Sequence, residues 1–451
     1  MFSSDKWFGA SAGFYNGVAT QSLRFNRSDS SYLIKENTSV TSTQKWTLSV
    51  WIKRTSLGTE QGILGSSSTA EYIRFESNDT LRYRLYSSSA QRISMITNAV
   101  FRDTTNFFHL VCAVDLSNTT DNDKAIIYVN GTRQSLGTNI TTSTDTYNSK
   151  MLQNGGHYWN LGRYAGYFDG YMADVHLIDG QQLDPTYFAE TKNGVWIPKE
   201  YTGTYGNSGA RLEFKQTGTS SASSSTIGAD TSGNNNHFDA NNVSAHDSNM
   251  PDCPENNFCT WNANDDFGAG TLSEGNTKWV ATSGSNEAVA STFAMPTSGK
   301  WYWEYHAQDK GYLSHIGLTS AGTDYNNTGS SDGTRASWGF GTWNATYNSN
   351  VTKYTSSGGG SAGTNWSSAG NVTDGQVLAC AYDADNGTLW FSKEGTFINS
   401  SGTANPATNT DPRFSGLNDG TQWFAYNTQY PGGSPDFFVN FGQDSSFAGS
   451  K

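Results

Sequence analysis

Two stretches decide the fold: residues 110–132, LVCAVDLSNTTDNDKAIIYVNGT, and residues 378–396, LACAYDADNGTLWFSKEGT. Each reads as an apolar strand with Cys-Ala at its centre, then an Asp, a polar turn, a second strand and a Gly-containing turn. Successive side chains of a strand point to opposite faces, so the alternation around Cys112 and Cys380 marks one buried face in each. Both cysteines are therefore expected as buried thiols in central strands. Asn386-Gly387 is a two-residue hairpin signal, because both positions of such a turn favour left-handed backbone. The likeness of one hairpin predicts related antiparallel sandwiches in the two halves of the chain.

Working outward, short apolar runs recur on both sides. Towards the N-terminus they are SLRFN (22–26), SSYLIK (30–35), WTLSVWIKR (46–54), GILGSS (62–67), YIRFE (72–76), LRYRLYS (81–87), YWNLGRY (158–164) and GYMADVHLID (170–179). Towards the C-terminus they are KWYWEYHAQ (300–308), SHIGLTS (314–320), ASWGFGTW (336–343), QWFAYN (422–427) and DFFVNFG (436–442). Short strands at this spacing, separated by Gly, Asn, Asp and Ser, predict an all-β chain of two antiparallel β-sandwich (jelly-roll-like) domains. LDPTYFAET (183–191) is the one good helix start, with Asp184 as cap and Pro185 at the first helical position. The expected domains are an arm over 1–20, a first sandwich over 21–196, a polar connector over 197–257 and a second sandwich over 258–451. The connector holds one plausible strand, ARLEFKQ (210–216), and is expected to be a loop with little core of its own.

Aromatic residues make up 14% of the 451, which excludes a disordered chain despite the abundance of Ser, Asn and 48 Gly. Charged residues are 15% against ~25% in ordinary domains, so the surface is mostly hydroxyls and amides that can hydrogen-bond to sugar hydroxyls. The net charge of -12, with no basic cluster, argues against nucleic acid as a partner. No long apolar run is present, so membrane insertion is not expected, and the start MFSSDKWFGASAGFYNG does not read as a secretory signal. Cys253 and Cys259, in CPENNFC, are either a pair or two free thiols; the spacing leaves both readings open.

WTLSVWIKR, FFHLVCAVD, AIIYVNGT and above all YFDGYMADVHLIDGQQL (167–183) resemble the concanavalin A-like lectin/LamG superfamily over residues 21–196. GKWYWEYHA, HIGLTS, WGFG, DGQVLACAYDADNGTLWFSKEG and DFFVNFG resemble, in order, a SPRY domain over about 260–445. Glu394-Gly395 stands where that family usually has Asn-Gly, a change expected to alter the turn and not the fold. The combination, with WFGASAG and QSLRFN at its start, resembles virion proteins of marine bacteriophages. That resemblance implies a tail-fibre, spike or head-surface protein located in the virion. Its implied partners are other virion proteins, host-surface glycan and further copies of itself in a homo-oligomer.

Catalysis is not expected. Glycan hydrolysis needs two carboxylates on one face, ~5–5.5 Å apart in retaining enzymes, and no such acid pair is found. Glu71 and Glu76 are an odd step apart; Glu304 lacks an acidic partner; Asp265-Asp266 falls in the connector region; all read as surface carboxylates. The seven histidines lack metal-ligand spacing. No cofactor is expected; Asp115, Asp121 and Asp123 line one loop and are the residues a calcium ion would use. Sugar sites need aromatic faces and polar side chains. Two clusters supply them: Trp343, Tyr347, Tyr354 and Trp366 on expected loops of the second half, and Tyr158, Trp159, Tyr164 and Tyr167 ahead of the Phe-Asp-Gly strand. Trp7, Phe8, Phe14 and Tyr15 give the arm an apolar character that calls for contact, with the connector or with a neighbouring subunit. Two functional readings remain open: a surface protein binding host-surface glycan, or a decoration or collar protein whose sandwiches contact other virion proteins.

Overall fold

The computed structural model describes residues 14–66, 71–87, 90–141, 148–268, 270–282, 287–311, 313–320, 335–341, 351–354, 372–398, 403–429 and 434–451. Among these, every sheet pairing is antiparallel and the only helices are single 3-10 turns. The chain divides into two compact units, Met1–Phe258 and Cys259–Lys451.

The first unit is a sandwich of two sheets. One runs in the order Leu23–Phe25, Gly170–Asp179, Lys45–Arg54, Phe108–Asp115, Ala125–Val129, Thr132–Arg133, with Ala210–Leu212 also paired to Gly170–Asp179. The other runs Leu136–Thr141, Ala90–Val100, Thr80–Ser87, Glu71–Phe75, Gln61–Gly65, Tyr158–Leu161, Tyr32–Glu36, Asp239–Asn241. Alternation sends Trp46, Leu48, Val50 and Ile52 from the first sheet, and Ile73, Phe75, Leu81, Tyr83 and Leu85 from the second, into one shared core. Cys112 sits in that core, on a strand flanked by Lys45–Arg54 and Ala125–Val129, as its alternating neighbours predicted.

The second unit has the same layering. Trp261–Phe267, Glu287–Ala294, Trp423–Gln429, Leu313–Ser320, Arg335–Gly341 and Val351–Tyr354 form one sheet. Thr271–Ser273, Lys278–Val280, Asp436–Asn440, Lys300–Asp309, Gln376–Asp383, Thr388–Lys393 and Thr396–Ile398 form the other. Trp261, Trp279, Trp303, Trp423 and Cys380 meet between them.

The polar stretch 197–257 departs from the expected connector. Ala210, Leu212, Phe214, Ile227 and Phe238 lie in the first unit's core, and two of its short strands extend that unit's sheets. A few apolar residues at the right positions are enough, because the existing sheet edges supply the hydrogen bonds. The expected helix at 183–191 is also corrected. Asp184 does cap, accepting from the Thr186 backbone N–H at 2.8 Å, but the helix is one 3-10 turn over Pro185–Tyr187. Beyond it Ala189–Lys192 pairs with Val195–Pro198 through Asn193 (φ 51°) and Gly194 (φ 82°). Among the described residues, two-residue hairpins with two left-handed residues stand there, at Asn130-Gly131 and at Glu394-Gly395. The expected alteration of the turn at Glu394 is corrected: Glu394 takes the left-handed backbone (φ 48°) that a two-residue hairpin turn of this kind requires. Between Asp383 and Thr388 the loop has four residues, and only Gly387 is left-handed. Asp265 and Asp266 belong to a strand, Trp261–Phe267, and Cys253 and Cys259 are separate buried thiols.

Candidate functional site

The hexapeptide LRYRLY, Leu81–Tyr86, builds the site. Leu81, Tyr83 and Leu85 fill the core, so Arg82, Arg84 and Tyr86 must stand on the outer face of the eight-stranded sheet. On the neighbouring strand Ile73 and Phe75 point inwards, and Tyr72 and Arg74 share the outer face. Register places Arg84 opposite Tyr72 and Arg82 opposite Arg74. Two like charges directly opposite repel. Glu60 and Glu76 relieve this: Arg74 makes two bonds to Glu60, at 2.6 and 2.7 Å, and Glu76 bonds both Arg74 and Arg82.

Arg84 is held differently. It donates to the Tyr72 hydroxyl at 3.1 Å, and its guanidinium carbon lies 3.9 Å from the Tyr86 ring centroid. Among the described residues no carboxylate forms an ion pair with it. Tyr72 stacks on Tyr164, with centroids 4.5 Å apart and planes 14° from parallel. That contact requires glycine below. A Cβ on Gly62 would meet the Tyr164 backbone nitrogen at 2.1 Å, and one on Gly65 would meet the Tyr164 Cβ at 2.7 Å. The 162–168 loop therefore lies directly on the sheet and carries Arg163 over Tyr32 (4.5 Å) and Tyr167 beside it (6.2 Å). The result is a face of alternating aromatic planes and guanidinium donors: Tyr86, Arg84, Tyr72 with Tyr164, then Arg163, Tyr32 and Tyr167.

Three of the four first-half candidates belong to this face or its margin. Tyr167 and Tyr158 are half-buried; Tyr164 is 8% exposed and acts as a packed wall. Trp159 does not belong. It is fully buried against Trp46 at 6.0 Å, because strand alternation points it with Leu161 into the core. Sequence reasoning missed Tyr32, Tyr72, Arg74, Arg82, Arg84 and Tyr86. The alternation in LRYRLY was the available signal, since it separates core residues from a polar face without any structure. Of the second-half candidates, Trp343, Tyr347 and Trp366 lie outside the described residues. Tyr354 ends a strand, opposite Arg335, and not an open loop.

The three calcium candidates are each tied to a different basic group: Asp115 to Lys45 (2.9 Å), Asp121 to Lys124 (3.3 Å) and Asp123 to Arg133 (2.9 Å). Among the described residues no group of three or more His, Cys, Asp or Glu side chains could hold a metal ion. Glu71 is another correction. It is buried and not a surface carboxylate, accepting from Tyr83 Oη (2.8 Å), Ser149 Oγ (2.6 Å) and the backbone N–H groups of Lys150 and Met151. Burial pushes its carboxyl above the usual range against the pull of those bonds. Of the arm, Trp7 and Phe8 lie outside the described residues. Phe14 and Tyr15 pack edge to face at 4.9 Å on the chain's own first unit. There Asn16 bonds Glu190, and Glu255 accepts from the N–H groups of residues 17, 18 and 19.

Residues 26–185 match the model of the concanavalin A-like lectin/glucanases superfamily, and residues 300–412 match that of the SPRY domain. The chain therefore carries a concanavalin A-like, LamG-type domain followed by a SPRY domain. No curated protein matches it. Among solved structures it is similar to the SPRY domain of human HERC1, at 15% identity and TM-score 0.28, over 41% of this chain and 98% of that one. It is also similar to a putative carbohydrate binding protein from Bacteroides ovatus, at 14% identity and TM-score 0.36, over 49% of this chain and 58% of that one. A third is a heptameric SAP-like pentraxin from Limulus polyphemus, at 11% identity and TM-score 0.27, over 36% and 77%. Likeness at this level carries no argument about function. Among the described residues no helix is long and apolar enough to cross a membrane.

Proposed function

We propose that the chain is a non-catalytic saccharide-binding protein, and that the outer face of the first unit's eight-stranded sheet is its binding surface. The observation that carries this is the Arg84 guanidinium, laid on Tyr86, bonded to Tyr72 and without a carboxylate partner among the described residues. Half-buried tyrosines offer flat apolar surfaces to the C–H faces of a sugar ring, and a guanidinium offers a planar fork of donors to its oxygens. Arg82, Arg84 and Arg163 bias the face towards saccharides that carry acid groups. A glycan array probed with the full chain should give retained spots enriched in carboxylated or sulfated saccharides. Arg84→Ala should lower that binding ~10-fold or more, the cost of one charge-assisted bond of ~1.5–3 kcal/mol. An array without reproducible spots, or one unmoved by Arg84→Ala, defeats the proposal.

The same reading includes the absence of glycan cleavage. Of the carboxylates on this face, Glu60 is committed to Arg74, Glu76 to Arg74 and Arg82, and Glu36 accepts from the Gly156 N–H. Incubation with laminarin, agar-type and alginate-type polysaccharides should release no reducing ends. Placement on a virion surface, as a fibre, spike or head-surface protein in homo-oligomeric form, is part of the proposal and rests on the sequence resemblance alone. Immunogold labelling of particles from a host that produces the protein tests it.

A further inference from the structure

A second cluster, away from that face, carries different chemistry. Lys53 is fully buried, and the three nearest of the four oxygens around its Nζ are Asp252 Oδ2 at 3.0 Å, Asn257 Oδ1 at 2.9 Å and the Phe258 carbonyl at 2.7 Å. Asp252 is buried too; its Oδ1 lies 3.3 Å from Nζ and accepts from the Phe258 N–H at 3.1 Å. The rings of Phe107 and Tyr171 stand 5.8 and 5.7 Å from Nζ. The Asn257 amide is fixed from its far side, where Nδ2 donates to the Thr105 carbonyl at 2.7 Å and to Asn106 Oδ1 at 3.2 Å. Its carbonyl end is thereby turned to the lysine.

We propose that Lys53 and Asn257 become joined by an isopeptide bond, with Asp252 as the catalytic residue that moves the protons. Transfer of a proton from Lys53 Nζ to Asp252 Oδ2, 3.0 Å away and out of water, gives the neutral amine that the reaction needs. Burial pushes the Asp252 carboxyl upward against the pull of Lys53, which favours that transfer. The Lys53 lone pair then forms the Nζ–Cγ bond. Asp252 takes one proton from Nζ; as Cγ becomes tetrahedral and Nδ2 leaves the Thr105 carbonyl, Asp252 gives its own proton to Nδ2, the Cγ–Nδ2 bond breaks, and ammonia leaves. Atoms and charges balance with no oxidant, reductant or further reactant. Holding amine and amide in contact supplies the proximity that makes a slow amide exchange proceed within one chain.

The bond would tie strand Lys45–Arg54 to the last residues of the first unit, across 204 positions of sequence. A pull on the chain at Phe258 would then be borne by a central strand and not by the 197–257 stretch.

Intact-mass measurement of the denatured full chain tests this. The expected mass is lower than that of the sequence by about 17 Da, one ammonia. Proteolysis should release one branched peptide joining the Lys53 and Asn257 segments. Asp252→Ala and, separately, Asn257→Ala should return the mass to that of each sequence and abolish the branched peptide. Asn257 is half-buried, so its variant keeps the test open if the Asp252 variant fails to fold. Full sequence mass in the wild-type chain overturns the proposal. So does a 17 Da deficit found on a linear peptide, which is an asparagine succinimide.

Discussion

Buried ionisable side chains give this protein its most specific residue-scale behaviour. Asp169, in the Phe-Asp-Gly segment, accepts from the Arg27 backbone N–H at 3.5 Å and feels the opposing charges of Arg27 and Asp29. Burial pushes its carboxyl up to about 6, against the weaker pull of Arg27. The folded state then holds the proton more tightly than the unfolded chain. The contribution is fully present below pH ~4 and is lost as pH rises through about 6. Asp169→Asn keeps the acceptor and removes the charge. Its stability relative to wild type should rise by ~3 kcal/mol between pH 4 and pH 7. Urea unfolding of both proteins across that range measures it; a pH-independent difference would sink the assignment. The thiols give a second test. All four cysteines are buried, and burial lifts Cys253 to about 12 and raises the thiols of Cys112 and Cys380 too. A thiol reagent should label none of them in the native protein and all four in denaturant. Two fewer in denaturant would mean that Cys253 and Cys259 are paired.

At the scale of elements, the sheet face and its covering loop depend on each other. Gly62→Ala would place a methyl 2.1 Å from the Tyr164 nitrogen, so the 162–168 loop must lift. The expected result is a loss of ~1–3 kcal/mol, typical of overpacking, together with weakened saccharide binding. Trp159→Ala should instead cost ~3–5 kcal/mol, a core cavity, and Tyr86→Ala should weaken binding with the unfolding midpoint unchanged. Equal destabilisation by the Trp159 and Tyr86 variants would mean that the face was assigned to the wrong side of the sheet. Strand alternation made most of this legible in sequence: it located Cys112, Cys380 and the sandwich cores. Tyr158 and Trp159 show its limit. They are adjacent aromatics of similar composition, and only the register of Tyr158–Leu161 against Tyr32–Glu36 decides which of them turns inward. Glu71 shows another. Its partners, Ser149 to Met151, lie some eighty residues away, and no local pattern announces that a carboxylate will be covered by them.

For the whole molecule the decisive question is where the first unit ends, and 197–257 decides it. That stretch looked like linker because Ser, Gly and Asn dominate it, yet composition measures only how much apolar surface a segment offers, not where it lands. Leu212, Phe214, Ile227 and Phe238 are fully or nearly fully buried, and Ala210–Leu212 and Asp239–Asn241 pair with strands of opposite sheets. Arg24 reaches Asp247 at 2.9 Å with both side chains buried, so the stretch is also fastened by charge, and Lys53 adds its contacts with Asp252 and Asn257. Losing one partner of a buried ion pair costs ~3–5 kcal/mol, and losing a large buried side chain costs ~2–5 kcal/mol. A fragment ending at residue 200 loses all of these at once, against a total domain stability of ~5–15 kcal/mol. It should therefore be insoluble or molten, whereas fragments 1–258 and 259–451 should each unfold cooperatively with β-type spectra. Circular dichroism and urea titration of the three fragments provide the measurement. A cooperative 1–200 fragment as stable as 1–258 would return the stretch to the status of a linker and would remove the Asp252 and Asn257 chemistry from the first unit's fold.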